Sequence, residues 1–234
     1  MPIKARDVCV ITVDIKGSRK LPNRDKVQLR IRHLLNRLNN LYAEKLLAPF
    51  EITLGDEFQG VLKVQSIEAA WDIFKLLKSE LGVPFHYGVG TGGINTPLAR
   101  TLIMKPTEMD GDAFHGSRKA VETAKLMGVE FVFVTETYES FIEVNALVEL
   151  LLYVASKWTP TQRKVISLFE ADPDTTNTAV AKQLGVTKQA ISNILSRSGW
   201  EEFRDAETML KALLVRSVGG QPQDIYSTRI TRWG

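Results

Sequence analysis

The chain has 234 residues, of which 44% are hydrophobic and 24% charged, the proportions of an ordinary folded protein with one large or two modest domains. No apolar run approaches the roughly 18 residues of a membrane span, and the single cysteine, Cys9, excludes a disulfide framework, so a cytoplasmic protein without a membrane partner is expected. The formal charge is +3: residues 1–155 hold 19 basic and 19 acidic side chains, residues 156–234 hold 11 and 8, so the whole excess lies where phosphate contacts would use it.

Residues 8–14, VCVITVD, form a continuous β-branched apolar run and predict a buried strand, not a signal peptide. Val27, Ile31, Leu34, Leu38 and Leu41 recur at helical steps and predict a long amphipathic helix from Asn23 to about Leu47. FEITL at 50–54 and FQGVLKV at 58–64 flank Gly-Asp-Glu and predict a hairpin. Ile67, Ala70, Trp71, Phe74 and Leu77 mark a second helix, stopped near Gly82 and Pro84. FHYGVGT then reads as a strand whose glycines admit a close backbone or ligand. A loop containing Pro97 and Pro106 leads to a helix from Ala113 to Met127, the strand EFVFVT, and a helix with Phe141, Val144, Leu147, Val148 and Leu151 inward. The order β-α-β-β-α-β predicts an α+β, ferredoxin-like palm over residues 1–155, with helices on one face of an antiparallel sheet. A small all-α domain over 156–218 and a tail over 219–234 complete the expected organisation.

The all-α segment carries a helix-turn-helix pattern. Residues 160–172 form one helix with Val165, Ile166 and Phe169 inward, and residues 178–184 a second, with Asn177 or Thr178 as its cap. Gly185 suits the left-handed end of that helix, Val186 is expected to plug the turn, and Thr187 to cap a third helix, KQAISNILSR. On this third helix Ala190, Ile191, Ile194 and Leu195 share one face. Gln189, Ser192, Asn193 and Ser196 share the other, flanked by Lys188 and Arg197. Such polar side chains can read base edges in a major groove, while Thr187, Lys188 and Arg197 reach phosphate or guanine. A solvated bundle helix and a protein-interaction helix are the competing readings. The segment resembles the helix-turn-helix of region 4 in bacterial sigma factors, which favours double-stranded DNA.

In the predicted palm, Asp14 ends the first strand and Asp56 and Glu57 sit at the hairpin tip, LGDEFQG. A split βαβ sheet makes these neighbours, and carboxylates so close favour a cation between them. Hard oxygen ligands select Mg²⁺ or Mn²⁺, which commonly work with substrate phosphates. For either acid alone, an acidic hairpin or strand cap is a sufficient account. His33 and His86 read as structural or solvent-facing, and no Walker loop, nucleophile elbow or zinc cluster is present.

The segments VDIKGSR, LGDEFQG, YGVGTGGI and MDGDAFHGSRKAVETAK resemble the SatD family and, more distantly, the palm domains of class III and GGDEF nucleotide cyclases. The SatD resemblance also implies a C-terminal helix-turn-helix. The palm resemblance implies that Asp14 and Asp56 hold two metals and a nucleoside triphosphate and act catalytically, with Glu57 ranked behind them as a further metal ligand. It also implies that the backbone at Ile15, Gly17 and Ser18 faces the phosphates, with Arg19 or Lys20 adding charge. Some features depart from the cyclase pattern. Ile52 stands where ATP-using class III enzymes often carry a base-selecting lysine, and their Gly-x3-Asn-x3-Arg helix reads here as Gly111, His115 and Lys119. Arg118, one residue earlier, is the SatD-like arginine and a candidate phosphate contact. Such palms commonly pair, so a homodimer is expected. The sequence therefore points to a DNA-binding transcription regulator whose palm binds a nucleotide and a divalent metal. The alternative is an active metal-dependent nucleotidyl cyclase or polymerase with an accessory helix-turn-helix, and a scaffold that has lost both ligands is a third reading.

Overall fold

The computed structural model describes residues 7–18, 24–96 and 104–222. Five strands form one sheet: β1 (Asp7–Ile15), β2 (Leu46–Leu54), β3 (Glu57–Lys63), β4 (Phe85–Gly93) and β5 (Phe131–Val134). Their order is β2-β3-β1-β4-β5, antiparallel throughout except for the parallel pair β4–β5. Helices α1 (Arg24–Leu41) and α2 (Ala69–Glu80) lie within the β-α-β-β-α-β run, and α3 (Asp112–Met127) makes the crossover from β4 to β5. This is the predicted strand order, and the expected strand EFVFVT is β5, which pairs parallel with β4.

The one-face expectation is corrected. Opposite residues of paired strands point to the same side, and Val13 faces Tyr87 while Thr12 faces Gly88. On the Tyr87 side, Phe74 of α2 meets Tyr87 edge to face at 5.3 Å, and the Tyr87 hydroxyl donates to the Ala70 carbonyl at 2.7 Å. On the Gly88 side lies α3, whose Ala113 and Phe114 pack with Val8, Val10 and Val61. Both faces are covered, which is why Val8 to Val13 are all buried and why that run is continuous and not alternating.

The glycines of β4 are what let α3 approach. A Cβ on Gly88 would stand 2.4 Å from the Ser117 carbonyl oxygen, and one on Gly90 2.2 Å from the Ser117 nitrogen. The predicted close partner is thus the backbone of α3. Gly88 lies beside Val121 and Gly92 beside Ala113, so α3 runs antiparallel to β4 and parallel to β1. Each edge strand is clasped by an asparagine. Asn39 of α1 donates to the Phe50 carbonyl (3.1 Å) and accepts from its N–H (2.6 Å), and Asn145 does the same for Phe133 at 2.8 Å each. These amides satisfy edge groups that would otherwise recruit another strand.

The first helix stops sooner than its periodicity suggests. After Leu41 the chain turns through Tyr42–Lys45, with the Lys45 and Leu46 amides donating to the Tyr42 carbonyl, and Leu46 and Leu47 enter β2. The chain divides into two units, Met1–Asn145 with Lys211–Gly234, and Ala146–Leu210. The division falls within α4 (Tyr138–Lys157) and α8 (Trp200–Ser217). The second unit contains α5 (Pro160–Ala171), α6 (Asn177–Leu184) and α7 (Lys188–Ser198), around Val165, Val180, Ala181 and Ile191. Trp158 packs at 4.7 Å on Phe203 and donates its indole N–H to the Ser198 carbonyl at 2.8 Å. Among the described residues, no helix is long and apolar enough to cross a membrane.

Candidate functional site

Asp14 stands near the C-terminal end of β1, with Glu57 directly opposite on β3 and His86 directly opposite on β4. All three therefore project to the α3 side. Opposite Cβ atoms in an antiparallel pair lie about 4.5–5.5 Å apart, so Glu57 is the nearest acidic neighbour that the register gives Asp14. Asp56, ranked first at the sequence level, occupies the two-residue turn with Gly55, whose φ of +64° is a backbone state that suits glycine. The Glu57 carboxylate accepts from the Thr53 hydroxyl at 2.9 Å, which fixes it across the hairpin.

The sequence reading missed the residue that meets Asp14. Lys125, in the last turn of α3, places Nζ 2.9 Å from Asp14 Oδ1. Its side chain is 44% exposed and that of Asp14 21%. One sequence signal existed: Arg118, Glu122 and Lys125 follow at three- and four-residue steps, a single stripe of the helix. Beside them, His86 is buried, and its Nδ1 donates to the Val129 carbonyl at 3.0 Å. Burial holds its pKa below the ordinary value; Lys16 and Lys125 add to this, while the Val129 hydrogen bond and Asp14 oppose it.

Two residues inward from Asp14 on the same face is a buried polar chain. Gln59 Nε2 donates to Thr12 Oγ1 at 3.0 Å, Thr12 and Ser117 share a 2.8 Å hydroxyl hydrogen bond, and Ser117 donates to the Phe114 carbonyl. It ties β3, β1 and α3 together beneath the acids.

Ile15 and Ser18 are buried, and Gly17 is exposed at the turn after β1. Arg19 and Lys20 lie outside the described residues. His115, Arg118 and Lys119 are all exposed on α3, with His115 Nε2 3.6 Å from Asp110. Among the described residues, no group of three or more His, Cys, Asp or Glu side chains is arranged to hold a metal.

In the second unit, Thr187 accepts from the Ala190 amide at 3.1 Å and caps α7, and Gly185 ends α6 at φ +67°. Thr187, Lys188, Gln189, Ser192, Asn193, Ser196 and Arg197 are all exposed, and Gln189 donates to Asn193 at 3.1 Å. Two expectations are corrected. Thr176, not Asn177 or Thr178, caps α6 by accepting from Ala179, and Val186 is 45% exposed and fills no core position, which Leu184 and Ile191 occupy instead.

A mixed α/β sheet domain with carboxylates gathered at one strand end and hairpin is the class that fold and site define. The chain belongs to the SatD family, whose profile matches residues 8–214. No curated protein matches the sequence. Among solved structures, a bacterial light-regulated adenylyl cyclase is similar at 18% identity and TM-score 0.40, over 55% of this chain and 75% of that one. The adenylyl cyclase CyaB from P. aeruginosa is similar at 16% identity and TM-score 0.38, over 61% of this chain and 83% of that one. A microbial GGDEF domain is similar at 19% identity and TM-score 0.35, over 55% and 78%.

Proposed function

We propose that the sheet domain is a ferredoxin-like palm that binds a nucleoside triphosphate with Mg²⁺ or Mn²⁺ and carries out nucleotidyl transfer, as a cyclase or polymerase does. Asp14, Asp56 and Glu57 hold the ion. The observation that carries the reading is Asp14, opposite Glu57, with an ammonium at 2.9 Å. A cation already meets Asp14 there, and the acids are hard oxygen donors suited to those ions. An ion held there would neutralise charge between these acids and the triphosphate oxygens. Lys125, with Arg118 and Lys119 earlier on α3, then supplies positive charge to phosphate, with the turn at Ile15, Gly17 and Ser18 closing the other side; His115, about 15 Å along the helix from Lys125 and beside the opposite end of β1, takes no part.

The test is calorimetric titration of the full chain with GTP and ATP, with and without Mn²⁺, together with a pyrophosphate-release assay. Binding is expected only with metal, and Asp14→Asn and Glu57→Gln should each lower it by on the order of tenfold or more, the worth of a charged hydrogen bond. Binding that survives both substitutions, or chelation of the metal, refutes the site; metal-dependent binding without pyrophosphate release makes the palm a nucleotide sensor.

A second reading rests on a separate observation, the exposed polar face of α7 behind the Gly185 turn. We propose that α6 and α7 form a helix-turn-helix for double-stranded DNA, that the chain acts as a homodimer presenting two such helices about 34 Å apart, and that the protein regulates transcription in response to the palm's ligand. Selection of bound sequences, then anisotropy titration over a salt series, tests it. Gln189→Ala or Asn193→Ala should cost about 1–3 kcal/mol at the selected site, and Arg197→Ala should reduce the salt slope by about one on any DNA. No salt-dependent binding refutes it.

A further inference from the structure

The first unit holds a cavity of about 110 Å³ at the end of the sheet away from the acids. Asp7, which opens β1, and Thr91 and Gly92, near the end of β4, line it. Asp7 and Asp14 lie seven residues apart on β1, about 23 Å at 3.3 Å per residue. Thr91 stands on the Tyr87 face of β4, whereas Asp14, Glu57 and His86 project from the other face. The cavity therefore lies at the C-terminal ends of the parallel strands β4 and β5, where open α/β sheets place their ligands. The turn from β5 into α4 and the last turn of α8 complete it, and every residue of its lining belongs to the first unit.

The lining carries both signs of charge. Arg216 pairs with Glu143, which sets its guanidinium beside the first turn of α4, where Ser140 lies three residues before Glu143. A guanidinium has five N–H donors, so Arg216 keeps others for a ligand. Against it stand two carboxylates: Asp7, and Glu136, which has no basic partner among the described residues. Hydroxyls complete the lining. The buried Thr91 donates to Thr135 at 3.1 Å, which leaves the Thr135 proton without an acceptor among the described residues. Two carboxylates repel a phosphate, and a simple cation would meet the guanidinium. An uncharged ligand would bury these charges without ionic partners. A molecule with one ammonium and one carboxylate satisfies both signs. Volume sets its size. A cavity of roughly 150 Å³ takes a six-carbon ring, so this one takes about five non-hydrogen atoms, and its opening to solvent admits a short side chain.

We infer that this cavity binds a small free α-amino acid, of the size of glycine, alanine or serine. Its carboxylate lies on Arg216 and the Ser140 hydroxyl, its ammonium on Glu136 and Asp7, and Thr135 donates to it from the sheet. The site is separate from the proposed triphosphate site and needs neither metal nor nucleic acid. It sits where the chain leaves the first unit through α4 and returns to it through α8, so its occupant touches both helices.

The test is calorimetric titration of the full chain, without metal or nucleotide, with glycine, L-alanine and L-serine. Four further probes each lack part of the match: ethanolamine has no carboxylate, propionate no ammonium, glycerol no charge, and inorganic phosphate only negative charge. At least one amino acid should bind, and all four other probes should bind at least tenfold more weakly. Arg216→Gln and Glu136→Gln should each weaken amino-acid binding tenfold or more, the worth of a charged hydrogen bond. Both positions are exposed, so circular dichroism should report an intact fold. Glu143→Gln breaks the ion pair but keeps the guanidinium, and should leave binding equal or tighter. Ser140→Phe, which fills the cavity, should abolish it. No binding of any of the three amino acids at millimolar concentration overturns the inference, as does any other probe that binds as tightly as the best of them. Binding unaltered by Ser140→Phe overturns it too. A loss in Glu143→Gln equal to that in Arg216→Gln also overturns it, because Arg216 then serves only the ion pair.

Discussion

Replacing Gly90 by alanine tests the idea that α3 is set by backbone-to-backbone contact. The added methyl would lie 2.2 Å from the Ser117 nitrogen and 2.4 Å from the Ala113 carbonyl oxygen, and neither atom belongs to a side chain that can rotate away. The helix must lift by roughly 1 Å to restore ordinary contact, which opens gaps around the buried Ala113, Ser117 and Val121. Overpacking of this kind costs about 1–3 kcal/mol and occasionally more, and a rigid backbone partner argues for the upper end. At about 3 kcal/mol, a protein of this size should lose roughly 6–12 °C in Tm. Gly93→Ala is the matched control, because its Cβ would meet nothing within 4 Å; it should stay within about 0.5 kcal/mol of the parent. Urea denaturation followed by circular dichroism reads both variants. Equal midpoints for Gly90→Ala and Gly93→Ala would show that the helix does not rest on the strand as described.

His86 is held neutral by burial, so the unfolded chain binds its proton first as pH falls. Its contribution is complete above the ordinary value of 6.5 and is lost below it; His86→Gln should flatten the fall in midpoint between about pH 7 and 5, and an unchanged slope refutes the assignment. Thr187→Ala removes the cap of α7 and should cost about 1 kcal/mol, with Thr187→Ser recovering most of it; equal loss in both variants would point to the methyl group instead. Lys125→Met deletes the cation on Asp14 but, because the pair is partly exposed, should change stability by less than about 1 kcal/mol. The same variant should bind Mn²⁺ alone more tightly than the parent, and unaltered affinity would separate Lys125 from the ion's position.

Much of the fold was legible because it is written in local patterns. The six buried residues from Val8 to Val13 already imply a strand covered on both sides, although the ferredoxin-like expectation placed helices on one side only. The glycines at 88 and 90 announced a close neighbour, but not which one: the answer depends on α3, whose contact residues lie between 113 and 121. Lys125 escaped for the same reason, since its pairing with Asp14 follows only once α3 is known to run parallel to β1. Glu57 was placed behind Asp56 because the hairpin tip can be read from Gly-Asp, whereas the register that sets Glu57 opposite Asp14 is a long-range fact. The α7 face needed no such information, because helical phase and a capping threonine define it from eleven consecutive residues.

The glycine groove, the buried hydroxyl chain and the Lys125 contact act as one arrangement. Gly88 and Gly90 bring the α3 backbone onto the sheet, close enough for Ser117 to reach Thr12. That hydroxyl pair, with Gln59 donating into it, lies in the core and has partners there, so sliding α3 along the sheet would break buried hydrogen bonds. Such bonds are costly to leave unmade, and they hold the helix in register. The last turn of α3 is then held above the end of β1, while the side chain that spans the remaining distance is a long, half-exposed lysine. Rigidity ends where the acids begin. A lysine stem rotates freely and its ion pair is screened by solvent, so in the proposed triphosphate complex Nζ would leave Asp14 for a phosphate oxygen while the backbone stays still. The exchange of cations that the proposal places at Asp14 would therefore require no movement of the fold, only of a side chain placed there by contacts two residues deeper.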